Sequence, residues 1–282
     1  MIRSAAEART ALAVRRPSRV SLLARLLIPD RLHPLVWTWV TTALGMPNPR
    51  YWRYRSSLGQ LRRLTASRIV GGPFKGLRYI ARSAGSQYGP KILGTYELEL
   101  WPVIDEVIRR GYNLVIDVGA AEGYYAVGLA HRLPSARVIA FEAEPRARRL
   151  LRRLADLNGI TRLQIEGFCT PDALGRAIPD AERPLIICDI EGAEDDVLRP
   201  DAVPALRRAD VLVELHEFLR PGISAEIYRR FHPSHRIRFI PSEPRTSADW
   251  PDGIDIPVHL RQRLLAEIRP GPMTWFWMTA TA

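Results

Sequence analysis

From residue 97 onward, the apolar positions of the chain switch between a helical period and short continuous runs. Residues 97–110 carry apolar side chains at roughly helical spacing, which predicts a helix. Residues 113–118, NLVIDV, are mostly apolar without alternation, which predicts a strand buried on both faces. This alternation predicts an α/β protein with a mostly parallel, doubly wound, Rossmann-like sheet whose two terminal strands form an antiparallel edge hairpin. The further predicted strands are 137–141, 163–168, 185–189, 210–215, 235–240 and 272–280, and the further predicted helices are 124–132, 144–158, 171–178, one from about 195, 224–231 and 258–268.

Residues 1–70 differ from the rest of the chain in charge. They contain thirteen arginines, no lysine and two acidic residues, so the whole formal excess of +11 lies there and residues 71–282 are balanced. Residues 20–27 predict an amphipathic helix, and residues 34–44 form an unusually aromatic segment. We therefore expect a basic helical N-terminal extension over residues 1–70 and one domain over residues 71–282.

Three roles are open for the extension. It caps the domain, makes peripheral contact with a membrane through residues 1–60, or binds another partner. Because the body of the chain carries no basic excess, nucleic acid is not the expected partner, and any contact with it would belong to the extension.

Composition excludes several classes of protein. Apolar residues make up 46% of the chain and charged residues 25%, which excludes a disordered chain. The two cysteines, Cys169 and Cys188, are too few for a disulfide framework and fit a reducing compartment, so we expect a cytoplasmic protein. The longest apolar candidate for a membrane span, residues 34–46, has thirteen residues where about 20 are needed.

A turn after the first predicted strand reads Asp117-Val-Gly119-Ala-Ala-Glu-Gly123. Its glycines let the backbone approach a ligand closely, and the next helix begins there with an end that favours a carboxylate or phosphate. The second predicted strand is followed by Glu142, an acid placed to accept hydrogen bonds from the hydroxyls of a ribose. The third glycine of a dinucleotide fingerprint and the lysine of a P-loop are both absent. The pattern therefore indicates an adenosyl ligand without a diphosphate, and S-adenosylmethionine meets these demands.

Two stretches carry a family resemblance: GTYE over residues 94–97 followed by VIDVGAAEGYY over 115–125, and CDIEGAE over 188–194. They resemble the FkbM family of class I S-adenosylmethionine-dependent methyltransferases, over roughly residues 88–240. The resemblance implies a seven-stranded sheet of order 3-2-1-4-5-7-6 with the last strand antiparallel, and S-adenosylmethionine as the cofactor.

The resemblance also implies where the cofactor lies. The glycine turn lines the methionine part, Glu142 binds the ribose, and Phe168 and Cys169 border the adenine. Tyr96 and Glu97 close over the amino-acid end of the cofactor, or else they form only a helix start with a capping acid. The full set of expected cofactor-binding residues is Tyr96, Glu97, Asp117, Gly119, Ala121, Glu122, Gly123, Tyr124, Glu142, Phe168, Cys169 and Asp189.

Acidic residues and one histidine follow the fourth and fifth predicted strands. Asp189 and Glu191 lie two residues apart, as do Glu214 and His216, and these strands are neighbours in the implied sheet order. We therefore expect several carboxylates and one imidazole beside the transferable methyl group. The expected catalytic residues are Asp189, Glu191, His216 and Glu217, and the expected ligands of a divalent metal ion are Asp189, Glu191 and His216.

Two alternatives to the metal ion stay open at this cluster. His216 acts as a general base without a metal, or the acids Glu191 and Glu194 cap the following helix, whose first turn favours negative charge.

These expectations lead to one function and several alternatives. A hydroxyl acceptor must lose a proton, and an acid–histidine cluster or a metal ion supplies the means, so we expect O-methylation of a small molecule, a glycan or a natural-product intermediate. An N- or C-methyltransferase, a nucleic-acid methyltransferase docked through the extension and a non-catalytic cofactor-binding scaffold stay open. The fourth strand is followed by Asp189-Ile-Glu-Gly and not by the Pro-Pro-Tyr/Phe motif of base-amine methylation. The oligomeric state is not predicted.

Overall fold

The structure is a computed structural model, and it describes residues 49–267, 269, 271 and 273–281. The predicted helix over residues 20–27 and the aromatic segment over 34–44 lie outside the described residues. Contacts divide the chain into two units, residues 1–56 and 57–282. Leu61 and Ile69 are buried in the second unit, so its core begins before the expected boundary at residue 70.

Helices and strands alternate along the second unit. The described helices are α1 (Pro49–Leu64), α2 (Tyr88–Leu93), α3 (Trp101–Arg110), α4 (Tyr124–Arg132), α5 (Pro145–Leu157), α6 (Pro171–Ala177), α7 (Glu194–Val197), α8 (Ile223–Phe231) and α9 (Val258–Leu265). The described strands are β1 (Leu114–Val118), β2 (Arg137–Phe141), β3 (Leu163–Glu166), β4 (Leu185–Cys188), β5 (Asp210–Leu215), β6 (His235–Pro241) and β7 (Thr274–Ala280).

The seven strands form one sheet of order β3-β2-β1-β4-β5-β7-β6. Strands β1 to β5 run parallel, and β7 is antiparallel to both β5 and β6. Every residue of β1, β4 and β5 is buried, as expected for central strands covered by helices on both faces. The predicted fold class is confirmed: the sheet has the predicted order 3-2-1-4-5-7-6, with the last strand antiparallel.

Several element boundaries differ from the prediction. Glu97 has a left-handed φ of 47°, so it cannot begin an α-helix, and a short 3₁₀ turn (Leu98–Leu100) precedes α3. Strand β3 ends at Glu166, two residues early, which leaves Phe168 outside the sheet. Helix α9 ends at Leu265 because Ala266 is extended. Strand β7 begins at Thr274 and not at residue 272.

The register places the ends of the three central strands together. Val118 of β1 pairs with Cys188 of β4, and Cys188 pairs with Val213 of β5. The residues that follow these strands therefore meet at the carboxyl edge of the sheet, where ligands bind in open α/β sheets. None of the described helices is long and apolar enough to cross a membrane.

Candidate functional site

A cavity of about 770 Å³ opens at the carboxyl edge of the sheet. It is lined by the segments that follow β1, β2, β3, β4 and β5, together with residues near α2 and before β7. Most of the predicted site residues meet there. Those that line the cavity are Tyr96, Glu97, Asp117, Gly119, Ala121, Tyr124, Glu142, Phe168, Cys169, Asp189, Glu191 and His216.

The glycine turn joins the ends of β1 and β4 closely. Gly119 has a φ of 90°, and a Cβ there would lie 1.8 Å from the carbonyl oxygen of Asp189. Gly123 has a φ of 97°, and a Cβ there would lie 2.2 Å from Cδ1 of Leu151. Gly119 is required because a Cβ would overlap the backbone of Asp189, and Gly123 is favoured because its left-handed φ strains any other side chain.

Three non-glycine residues that line the cavity also adopt left-handed backbone conformations. The φ angles are 47° at Glu97, 49° at Ala121 and 57° at Glu191. The left-handed region is unfavourable for a residue with a side chain, so the conformation persists only where surrounding contacts hold it. Residues of this kind concentrate at functional sites.

Two acids face the cavity from the ends of β1 and β2. The carboxylate of Glu142 accepts the backbone N–H of Ala121 through Oε2 and that of Glu144 through Oε1, each at 2.7 Å, which fixes its direction. Asp117 is 3% exposed, and its Oδ2 has no hydrogen-bond partner among the described residues. Burial raises the pKa of Asp117 to about 7. An unpaired buried oxygen beside a fixed carboxylate fits an adenosyl ligand that bears hydroxyl and ammonium groups.

Carboxylates surround His216, which is 2% exposed and follows β5. Its Nδ1 lies 2.7 Å from Oε1 of Glu194. Its Nε2 lies 3.4 Å from Glu191, 3.5 Å from Asp189 and 3.8 Å from Glu214. We name Asp189, Glu191, Glu194, Glu214 and His216 the acid–histidine cluster. The structure thus brings together the groups that the sequence placed after strands four and five.

Proximity and burial shift the pKa values in the acid–histidine cluster. Burial, reinforced by neighbouring acids, raises the pKa of Asp189 to about 8, and burial with the charge of Asp189 raises the pKa of Glu214 to about 8. Burial alone would lower the pKa of His216, but the hydrogen bond to Glu194 and the surrounding acids raise it. The cluster therefore holds protons that it can exchange near neutral pH.

Glu194 holds the imidazole in place. Its Oε1 accepts the backbone N–H groups of Ile190 and Gly192 at 3.3 and 3.1 Å as well as contacting His216. Although burial opposes the charged form, these bonds lower the pKa of Glu194. A carboxylate on Nδ1 fixes the ring so that Nε2 points to the cavity.

Two arginines from the C-terminal part of the chain pair with acids at or beside the cavity, and neither was predicted as a site residue. Arg269 donates to Glu97 at 3.2 Å, to Glu214 at 2.5 Å and to Glu267 at 2.8 Å. Arg245 pairs with Glu267 and Glu99. These side chains balance part of the acidic charge around the cavity.

Three predicted site residues do not line the cavity. Glu122 is fully buried and accepts hydrogen bonds from Tyr79 and Lys91. Its side chain therefore does not line the cavity in which we expected it to contact the cofactor. Gly123 supplies the left-handed turn only. Glu217 is exposed and accepts the backbone N–H groups of Gly222 and Ser224 at the start of α8, because the chain turns away after His216. The predicted catalytic role of Glu217 therefore does not agree with its position.

Burial of acids beside the cavity predicts a pH dependence of stability. Burial and the charge of Glu214 raise the pKa of Glu97 from 4.5 to about 8, and that of Asp117 rises from 3.8 to about 7. An acid whose folded pKa exceeds its unfolded value stabilises the fold at low pH and loses that contribution as pH rises through the folded pKa. We expect the free energy of unfolding of the ligand-free protein to fall by several kcal/mol between about pH 5 and about pH 9, measured by urea unfolding. A stability that is flat or rises over this window would contradict the shifts.

Comparison with known proteins gives distant structural similarity only. No family model matches the chain, and no curated protein matches it. A precorrin-6y C5,15-methyltransferase from Geobacter metallireducens is 14% identical, with 61% of this chain and 81% of that chain covered and a TM-score of 0.43. A precorrin 8w decarboxylase from Methanobacterium thermoautotrophicum is 18% identical, with 66% and 90% covered and a TM-score of 0.45. TrmN from Thermus thermophilus is 18% identical, with 68% and 52% covered and a TM-score of 0.41. Nothing about the reaction follows from these values.

Proposed function

We propose that this chain is an S-adenosylmethionine-dependent methyltransferase of the FkbM type that methylates a hydroxyl group of a small molecule or glycan. The observation that carries the proposal is one cavity, at the carboxyl edge of a class I methyltransferase sheet, that joins an adenosyl site to a buried acid–histidine cluster. The first part suits the cofactor, and the second suits an acceptor that must lose a proton.

Each part of the cavity has a separate task in this proposal. Glu142, fixed by two backbone N–H groups, accepts hydrogen bonds from the ribose hydroxyls. Asp117, with its unpaired Oδ2, accepts from the ammonium group of the methionine part. When bound, S-adenosylmethionine supplies a methyl group activated by a sulfonium. Phe168 and Cys169 line the cavity after β3, where the resemblance places the adenine.

The acid–histidine cluster takes the proton of the acceptor. Glu194 fixes Nδ1 of His216, so Nε2 is the atom directed at the cavity. Nε2 accepts the hydroxyl proton, and the charged Glu194 on Nδ1 stabilises the resulting imidazolium, together with Asp189 and Glu214 in their ionised forms. Displacement at a methyl group depends chiefly on alignment, and the close backbone contact at Gly119 fixes where the chain bearing Asp189 lies.

A divalent cation is a second candidate for the same task. Ligand atoms of Asp189, Glu214 and His216 lie within 4.8 Å of one another, and Glu194 provides the outer carboxylate typical of metal-bound histidine. Glu214, and not the predicted Glu191, is therefore the third candidate metal ligand. The side chain of Glu191 is 72% exposed. A cation held there would lower the pKa of a bound hydroxyl.

Titration calorimetry tests the proposal first. S-Adenosylmethionine and S-adenosylhomocysteine are titrated into chelator-treated protein, then again with magnesium, manganese, iron or zinc restored. We expect both to bind at micromolar concentration. A cation that changes the heat or the affinity would select the metal-assisted form, and an unchanged titration would select His216 as base. Failure of both ligands to bind under every condition would overturn the cofactor assignment.

The acceptor is tested separately from the cofactor. Formation of S-adenosylhomocysteine is followed with matched panels of sugars, phenols, amines and an RNA pool. Turnover with hydroxyl compounds alone supports the proposal, whereas turnover with amines or RNA alone contradicts it. Tight cofactor binding without turnover on any panel would favour a cofactor-binding scaffold.

Glu142→Gln is expected to weaken binding of S-adenosylhomocysteine by about tenfold to a hundredfold, because charge-assisted hydrogen bonds to the ribose are lost. Calorimetry measures the change. The matched control is Glu166→Gln at the end of the neighbouring β3, which does not line the cavity and should leave affinity within about twofold. Equal affinities of the Glu142 variant and the unmodified protein would remove Glu142 from the ribose site.

A further inference from the structure

Lys91 is a buried cation that faces the cavity, and no motif in the sequence singled it out. It lies on α2, its side chain is 3% exposed, and it lines the cavity together with Tyr96 and Tyr124. Its ammonium group donates one hydrogen bond, at 2.6 Å, to Oε1 of Glu122. The ammonium lies 4.8 Å from the ring centroid of Tyr96 and 5.6 Å from that of Tyr124.

The ammonium of Lys91 has capacity for a further anion. An ammonium has three N–H donors, and a buried donor is normally paired. Glu122 already accepts from Tyr79, Ser83 and the backbone of Ala84 as well as from Lys91, so its charge is shared among four donors. The aromatic rings favour the cation but accept no conventional hydrogen bond.

Within the described residues, two basic side chains line the cavity, Lys91 and Arg269, and Lys91 has fewer acidic partners. The other, Arg269, is bound to Glu97, Glu214 and Glu267. The remaining charged groups of the lining are acids or His216, and His216 is itself surrounded by acids, so an anionic ligand group meets the least opposing charge at Lys91.

We infer that Lys91 binds the α-carboxylate of the methionine part of the cofactor, and this inference rests on the proposed function. The carboxylate is the one anionic group of S-adenosylmethionine, whose sulfonium and ammonium are both cationic. Lys91 interacts electrostatically with Asp117, the acid assigned to the ammonium. Together the two residues form a receptor for the zwitterionic end of an amino acid, with Tyr96 beside it.

The inference is tested by removing the carboxylate from the ligand and, separately, the ammonium group of Lys91 from the protein. Calorimetry compares S-adenosylmethionine with decarboxylated S-adenosylmethionine, which keeps both cationic groups and lacks the carboxylate. The unmodified protein should bind the complete ligand about tenfold to a hundredfold more tightly. In the double variant Lys91→Met, Glu122→Gln, this preference should fall to about twofold or less. Changing both partners avoids leaving a buried unpaired carboxylate.

A matched control separates this role from a general loss of binding. Glu142→Gln should weaken both ligands by the same factor and preserve their ratio, because both carry the ribose. Equal affinity of the two ligands for the unmodified protein would overturn the inference, even if the double variant does not fold. An unchanged ratio in a folded double variant would overturn it too. If neither ligand binds the unmodified protein, the proposed function itself fails.

Discussion

Asp189→Asn is expected to lower turnover by about a hundredfold to ten-thousandfold, while the fold is retained. Asparagine keeps the size of the side chain but cannot ionise as Asp189 does, 3.5 Å from Nε2 of His216. Because burial raises the pKa of Asp189 to about 8, the two proteins are compared at about pH 9, where the carboxylate is charged. Glu194 and Glu214 remain beside His216, but without Asp189 an imidazolium or a divalent cation beside the acceptor is stabilised less, so a loss follows from both forms of the mechanism. The rate of S-adenosylhomocysteine formation measures it, with an acceptor that the unmodified enzyme methylates.

Glu217→Gln is the control for this variant. Glu217 directly follows His216, but its side chain is exposed and accepts backbone N–H groups at the start of α8. Turnover of the Glu217 variant should therefore stay within about twofold of that of the unmodified enzyme. A fully active Asp189 variant would exclude Asp189 from the mechanism. A large loss in the Glu217 variant would instead favour the sequence-based assignment over the position seen in the structure.

Arg269→Met is expected to lower the free energy of unfolding by about 3 to 5 kcal/mol at alkaline pH, because buried carboxylates lose their cation. Its partners Glu97, Glu214 and Glu267 have side-chain exposures of 1, 6 and 7%. The loss should be smaller at pH 6 than at pH 9, because the pKa of Glu97 is already raised to about 8 and a protonated carboxyl needs no cation. Urea unfolding at both pH values measures the difference.

The control for the arginine variant is Arg238→Met. Arg238 pairs with Glu106 at 3.1 Å, but their side chains are 51 and 23% exposed, so the expected loss is under about 1 kcal/mol. If the two variants are equally stable, the carboxylates around Arg269 are balanced in some other way. If the Arg269 variant loses the same stability at both pH values, protonation of Glu97 does not compensate.

Much of the fold was predictable because its elements have clear local patterns. The predicted strands over 137–141 and 210–215 and the predicted helix over 124–132 agree with β2, β5 and α4. The strand order came from the family resemblance and not from periodicity. The start of α3 was not predictable from periodicity, because apolar spacing does not reveal that Glu97 is left-handed.

The candidate site was predictable where its residues directly follow strands. Asp189 and His216 do so, and the neighbouring positions of β4 and β5 bring them together. Arg269 was missed because it reaches the cavity from a segment near the C-terminus, far in sequence from the strand ends. Lys91 lies close to Tyr96 in sequence, but it was missed because it is on a short helix whose pattern does not reveal that its side chain faces the cavity. The available signal for Lys91 was a single lysine within the otherwise apolar segment YGPKIL.

The left-handed residues around the cavity set heat resistance against function in this protein. Glycine at Glu97, Ala121 or Glu191 would relieve roughly 1 kcal/mol of backbone strain at each position. Laboratory evolution under thermal selection alone would therefore favour replacing side chains that line the cavity, and two of these three are acids of the candidate site. Robust variants from such a selection would tend to lose function, whereas a selection that also demands turnover would have to find stability elsewhere in the sheet and its helices.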